Sequence, residues 1–134
     1  MSGSRANKSG RTAESILQHT LKLQGFSVQS QYKIGHNIYG GMLKIDLFVK
    51  DTLNFPDGLA IESKWQDVNG SADEKLPYLV QNIRECYPCP TIVVLQGGGI
   101  RQGAIQWIKS QIDDKLIGVY SLEEFISWAM RHLK

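Results

Sequence analysis

Asp46, Glu62 and Lys64 are the residues of this sequence whose types and spacing could do chemistry. Asp46 lies in the run KIDLFV, and Glu62 and Lys64 stand two apart in LAIESKWQ. Both runs alternate apolar and other residues in the manner of strands, so Glu62 and Lys64 project from one face. If the two runs are neighbours, Asp46 comes beside Glu62. Two adjacent carboxylates repel unless a cation lies between them. Oxygen ligands of this kind suit Mg²⁺ or Mn²⁺, with water and phosphate completing the shell. A nearby lysine can hold the attacking water and offset phosphate charge. Together these are the parts for metal-assisted hydrolysis of a phosphodiester. Charges also alternate on a strand whose one face is solvated, so Glu-x-Lys alone decides little.

Other candidate groups lead less far. Cys86 and Cys89 form CYPCP, but the pair follows a helical pattern and precedes a strand, the reverse of a thioredoxin-like site. A structural zinc needs four ligands, and His19, His36 and His132 show no matching spacing. Two ordinary thiols at a turn is the reading adopted. The turn GGGIRQG lacks the Gly-Lys-Ser/Thr ending of a P-loop, so no nucleotide cofactor is expected. Gly97, Gly98, Gly99 and Arg101 could meet a DNA phosphate at the following helix, or simply make a tight turn.

The elements that must position these residues are legible in outline. Residues 12–24 carry Ile16, Leu17, Leu21 and Leu23 at helical spacing, with Thr12 as a cap and Gly25 as a stop. FSVQSQYKI, MLKIDLFVK and LAIESKWQ read as three strands separated by turn-rich loops. In the second, Leu43, Ile45, Leu47 and Val49 are expected on one face, opposite Lys44, Asp46 and Phe48. Residues 72–87 read as a helix with Pro77 near its first turn, where proline is tolerated. TIVVLQ has the continuous apolar character of a buried parallel strand. AIQWIKSQI then reads as a helix with Ile105, Ile108 and Ile112 on one face; Trp107 there and Trp128 in the last helix are assigned to the core or a subunit interface. LIGVY is a last strand, and a Ser121–Glu124 capping box opens the last helix. The order α-β-β-β-α-β-α-β-α predicts an α/β fold with a mixed central sheet flanked by helices.

The chain has 134 residues, 42% hydrophobic and 21% charged, enough for one domain. Its net charge is +2. Arg5, Lys8 and Arg11 stand in a Ser- and Gly-rich opening without acids, so residues 1–11 are expected to form a flexible basic arm that could follow a phosphate backbone. Residues 12–134 are expected to form the single domain. Neither an apolar span of membrane length nor a secretory signal is evident. The expectation is a cytoplasmic, nucleic-acid-associated protein of a cell or virus, with no membrane partner.

With these elements in place, the sequence resembles the PD-(D/E)XK, or restriction-endonuclease-like, nuclease superfamily. The resemblance rests on KIDLFV, a short loop and LAIESKWQ, and covers about residues 11–96. The helix, Gly-aromatic turn, strand and two motif strands are similar in layout to archaeal-type Holliday-junction resolvases. The resemblance implies a restriction-endonuclease-like αβββαβ core, with an extra C-terminal strand and helix. It implies that Asp46 and Glu62 bind the metal, that the Ser63 carbonyl adds a ligand, and that Lys64 serves the nucleophilic water. Glu14 matches a first-helix acid that reaches the metal site in many members, and Gln66 fits a Glu-x-Lys-x-Gln pattern. Ser71 and Lys75, in GSADEKLPY, are implied to approach DNA or order the site. Ile45 replaces the motif proline, and the Gln-x-x-x-Tyr element of exonuclease-like members is absent. The expected function is a Mg²⁺- or Mn²⁺-dependent DNA endonuclease, restriction-like or homing-type. The alternatives are a Holliday-junction or branched-DNA resolvase and a catalytically silent DNA-binding module. Cutting both strands needs two sites, so a homodimer is expected.

Overall fold

The structure, a computed structural model, describes residues 2–66 and 72–134, with side chains from Thr12 onward. Ser71 and the side chains of Arg5, Lys8 and Arg11 therefore lie outside the described residues. Among the described residues, four α-helices and five strands follow one another as α1 (Ser2–Leu23), β1 (Ser27–His36), β2 (Met42–Lys50), β3 (Leu59–Trp65), α2 (Leu76–Cys86), β4 (Thr91–Gln96), α3 (Gln102–Ser110), β5 (Leu116–Tyr120) and α4 (Leu122–His132). The sheet order is β1-β2-β3-β4-β5. β1, β2 and β3 pair antiparallel, whereas β3, β4 and β5 pair parallel. The expected α/β fold with a mixed sheet flanked by helices is what forms.

The sheet buries both faces. Leu17 and Leu21 of α1 and Phe125 and Ala129 of α4 close over Leu47, Leu59, Ile61 and Ile92. On the other face, Leu79 and Ile83 of α2 and Ile108 of α3 pack over Ile45, Ala60 and Val93. β4 shows why its sequence is apolar throughout: Thr91 through Leu95 are all buried, between neighbours on each side and helices above and below.

Several boundaries differ from the sequence reading. α1 begins at Ser2 rather than Thr12, so the backbone assigned to the basic arm continues the helix. The helix expected over 72–87 divides into a 3₁₀ turn, Asp73–Lys75, and α2, with Pro77 in the first turn of α2 where its missing N–H costs nothing. α3 ends at Ser110, so Ile112 falls outside it and is 46% exposed. Trp128 packs against the core on the α1/α4 side, whereas Trp107 is exposed.

One departure shapes the site. Strict alternation would put Val28 with Tyr32, and Leu43 and Ile45 with Leu47 and Val49. Instead Val28, Leu47 and Val49 join the core beneath α1 and α4, while Tyr32, Leu43 and Ile45 join the core beneath α2 and α3. Both strands change face at the same rung. Its β1 member, Gln31, lies between the pairs Ser30↔Leu47 and Tyr32↔Ile45 and adopts φ 52°, a left-handed conformation uncommon for a side-chain-bearing residue. Its β2 member is Asp46.

The N-terminal cap of α4 forms as expected. The Ser121 hydroxyl accepts from the Glu124 N–H, and the Glu124 carboxylate accepts from the Ser121 N–H. These Ser121 contacts hold the Glu124 carboxyl below its ordinary range. A lowered folded-state pKa adds stability above the unfolded value and loses it as pH falls through the folded one. Ser121→Ala is expected to cost about 1 kcal/mol. The stability gap between wild type and Glu124→Gln in urea titrations should close as pH falls from about 7 to about 3.

Candidate active site

The β2–β3 ladder pairs Val49 with Leu59, Phe48 with Ala60 and Leu47 with Ile61, and stops there. At the next rung the Asp46 side chain takes over: Asp46 Oδ2 accepts the Ser63 N–H at 2.9 Å. A carboxylate thus occupies the place of a backbone acceptor, and the strands part. The opening is a cleft of about 330 Å³ between the diverging strands and α2. Asp46, Glu62 and Lys64 line it, together with Lys44 of β2 and Lys75 before α2.

Glu62 lies on the face of β3 that also carries buried Ala60, and is itself only 2% exposed. The Tyr87 hydroxyl, just past the end of α2, donates to Glu62 Oε1. Burial, then the charge and contact of Asp46, push the Glu62 carboxyl well above the usual carboxylate range; Lys64 and Tyr87 pull it back less strongly. Burial and the same carboxylates raise the Tyr87 phenol as well, so it serves as a donor. The Tyr87 carbonyl accepts from Lys115 Nζ at 2.6 Å, which ties this residue to the strand-β5 end of the fold.

Asp46 and Glu62 thus meet side by side, one oriented by a backbone N–H and the other by a phenol. Such a pair is held together by a shared proton or by a cation. Among the described residues, no group of three or more His, Cys, Asp or Glu side chains comes together. A cation here would rest on two carboxylates and draw its other ligands from backbone oxygen, water and substrate. That donor set fits Mg²⁺, which keeps several waters and binds few protein carboxylates, and does not fit Zn²⁺.

Of the other anticipated site residues, Lys75 lines the cleft and Ser63 touches Asp46, whereas Glu14, Gln66 and Arg101 are not among the lining residues. Glu14 does not line the cleft; Glu14 Oε2 accepts from Gln31 Nε2 at 3.1 Å, and Gln31 stands across from Asp46. Gln66 does not line it either. Its N–H donates to the Gln96 carbonyl at 3.0 Å, and its carbonyl accepts the Gly99 N–H at 2.7 Å. The glycine-rich turn after β4 is therefore a clamp on the end of β3. Arg101 is 70% exposed and pairs with Asp73 at 3.4 Å. Cys86 and Cys89 are free thiols, and burial pushes Cys89 up to about 11, consistent with an unreactive group.

Tyr87 and Asn82 had no sequence signal that singled them out. Asn82 lies within α2 and Tyr87 just past its end; the Tyr87 hydroxyl reaches Glu62 across 25 residues, and Asn82 Oδ1 accepts the Ile38 N–H across 44. Tyr87→Phe keeps the ring and removes the donor. It is expected to weaken Mg²⁺ binding about 10- to 100-fold, as loss of a group orienting a metal ligand does. Calorimetric titration with Mg²⁺, alongside an unchanged circular dichroism spectrum, checks this.

A family model described as a PD-(D/E)XK nuclease superfamily domain matches residues 5–133. A crystal structure of a protein of unknown function, AF1548, is similar in fold, with a TM-score of 0.51 at 9% identity, over 81% of this chain and 55% of that one. This chain thus spans little more than half the length of that protein. Among curated proteins no sequence match is found. Among the described residues no helix is long and apolar enough to cross a membrane.

Proposed function

We propose that this chain, which belongs to the PD-(D/E)XK nuclease superfamily, is a divalent-metal-dependent DNA endonuclease. The observation that carries the reading is the pair of contacting carboxylates, buried Glu62 and half-buried Asp46, facing a cleft that also holds Lys44, Lys64 and Lys75. A pair that is costly in isolation, set beside cations that suit a phosphate, is the arrangement expected of a functional site.

Asp46 and Glu62 would hold Mg²⁺ or Mn²⁺, with the Ser63 carbonyl a third candidate. When bound, the metal would lower the pKa of water and offset charge on the phosphate. The Ser63 N–H fixes Asp46 Oδ2, and the Tyr87 hydroxyl fixes Glu62 Oε1, so neither carboxylate must reorganise as substrate arrives. Lys64 projects from the same face as Glu62; its ammonium donates to the attacking water and stands against the phosphate charge. Lys44 and Lys75 flank the path of the strand and neutralise neighbouring phosphates. The water oxygen would bond to phosphorus as its proton passes to solvent, the bond to the 3′-oxygen would break, and that oxygen would leave by taking a proton from solvent, giving a 5′-phosphate and a 3′-hydroxyl. Duplex cutting would require a homodimer, with one site per strand.

The test is cleavage of linear duplex, single strand, flap and four-way junction with Mg²⁺ or Mn²⁺ and with EDTA. Metal-dependent cutting, lost in Lys64→Ala and Asp46→Asn, is the expected result. Preference for the four-way junction would move the reading to a resolvase. Binding of DNA without cutting of any substrate in either metal would replace it with a silent DNA-binding module.

A further inference from the structure

We propose that the stacked tyrosines Tyr39 and Tyr78, at the cleft, form a platform for an unpaired base of the DNA strand being cut. The proposal rests on the nuclease reading above and specifies its substrate as DNA with a splayed or single-stranded nucleotide.

Tyr39 and Tyr78 stack with ring centroids 5.3 Å apart and planes 18° apart. Tyr39 is 81% exposed, so one ring face is covered by Tyr78 and the other is open. Tyr78 also lines the cleft that holds Asp46 and Glu62, which places the platform at the same opening as the carboxylates.

The platform is built, not incidental. Tyr39 sits in the β1–β2 turn, and that turn is pinned from within and from below. The Asn37 side-chain oxygen accepts the N–H groups of Tyr39 and Gly41, at 2.9 and 3.1 Å. Asn82 of α2, 4% exposed, accepts the Ile38 N–H at 2.9 Å and donates to the Tyr78 carbonyl at 3.2 Å. One buried side chain thus fixes both the turn bearing Tyr39 and the helix turn bearing Tyr78. Rings held in advance lose little entropy when a ligand arrives.

The surroundings select a nucleobase over an apolar peptide side chain. Lys44, which follows Tyr39 in the chain, Lys75, which precedes Tyr78, and Lys64 line the same cleft. Aromatic rings beside a cationic track are the combination that binds unpaired strands, with bases on the rings and phosphates on the lysines. A base in a duplex has both faces covered by its neighbours, so an open ring face favours a strand end, flap or junction arm. The stack Tyr78–Tyr39 would be extended by one base on the outer face of Tyr39.

The experiment uses the whole chain and a duplex with a flap that carries 2-aminopurine at unpaired positions, beside the fully paired duplex, in Ca²⁺. Wild type and Tyr39→Phe are expected to quench the flap fluorophore on binding. Tyr39→Ala is expected to lose the quench and to bind the flap about 5- to 100-fold more weakly, the range for loss of one base–aromatic stack, with the affinity for paired duplex unchanged. Tyr39 is exposed, so its removal leaves the core intact; Tyr78→Ala provides a second variant on a different element. Equal quenching by Tyr39→Ala and wild type overturns the platform, as does failure of wild type to bind the flap. Metal-dependent cutting whose flap-over-duplex preference survives Tyr39→Ala would defeat the platform and leave the nuclease standing. Tyrosine-dependent quenching without cutting in Mg²⁺ or Mn²⁺ would do the reverse.

Discussion

Glu62→Gln is expected to abolish metal-dependent cleavage and, at the same time, to make the metal-free protein more stable. Glu62 is 2% exposed and lies against Asp46. Burial of a carboxylate and the presence of a second one both oppose its charge. Glutamine keeps the volume and keeps an oxygen for the Tyr87 hydroxyl, but carries no charge and does not repel Asp46. The gain at neutral pH should be about 1–3 kcal/mol, the scale of an imperfectly compensated buried polar group. Thermal unfolding in EDTA reads this as a higher midpoint for the variant. Adding Mg²⁺ should then raise the wild-type midpoint by mass action and leave the variant where it was. Cleavage should fall by a factor of about 10² or more, since an electrostatic contact in the site is lost. A variant no more stable than wild type in EDTA would mean that the carboxylate pair is not strained. The physical point is that the chain retains a local arrangement costly to the empty fold.

Gly97→Ala is expected to be among the most damaging single-methyl changes in the chain. Gly97 follows β4 with φ 102°, and an added Cβ would lie 2.2 Å from the Gln66 carbonyl oxygen and 2.7 Å from its carbon. Those are backbone atoms at the end of the strand that carries Glu62 and Lys64, so no side-chain rotation relieves the clash. Backbone strain and overpacking together should cost about 3 kcal/mol or more. Gly98, one residue on, has nothing within 4 Å of its added Cβ, and Gly98→Ala should change stability by less than about 0.5 kcal/mol. Urea denaturation of the two variants side by side checks both values. Equal effects would show that the turn does not clamp β3. Cleavage by Gly97→Ala should fall as well, because displacement of the end of β3 moves Lys64 relative to Glu62.

The glycine-rich turn illustrates what sequence could not decide. GGGIRQG is compatible with a phosphate cradle and with a tight turn, because glycine serves both. The fold brings Gln66 against Gly97 and Gly99, 31 and 33 residues further along the chain, and the turn becomes a brace for β3. Gln66, read as facing the site with Glu62 and Lys64, has its backbone drawn into the same brace. Likewise Glu14 Oε2 accepts from Gln31 Nε2, a contact across 17 residues that the helix pattern does not encode.

What the sequence by itself determined is whatever rests on local periodicity and residue chemistry. The three strands, the buried parallel β4, the Ser121 cap and the trio Asp46, Glu62 and Lys64 are of this kind, since side-chain alternation and capping are properties of neighbours in the chain. Tertiary structure alone decided how that trio is presented. The face change at Gln31 and Asp46 breaks the alternation that a period of two would enforce, and it depends on two strands changing together. The Ser63 N–H that parts β2 from β3, the Tyr87 hydroxyl on Glu62, and the Asn82 bridge beneath Tyr39 all join residues far apart in sequence. No local pattern encodes them, because a hydrogen bond across the fold leaves no period in the chain.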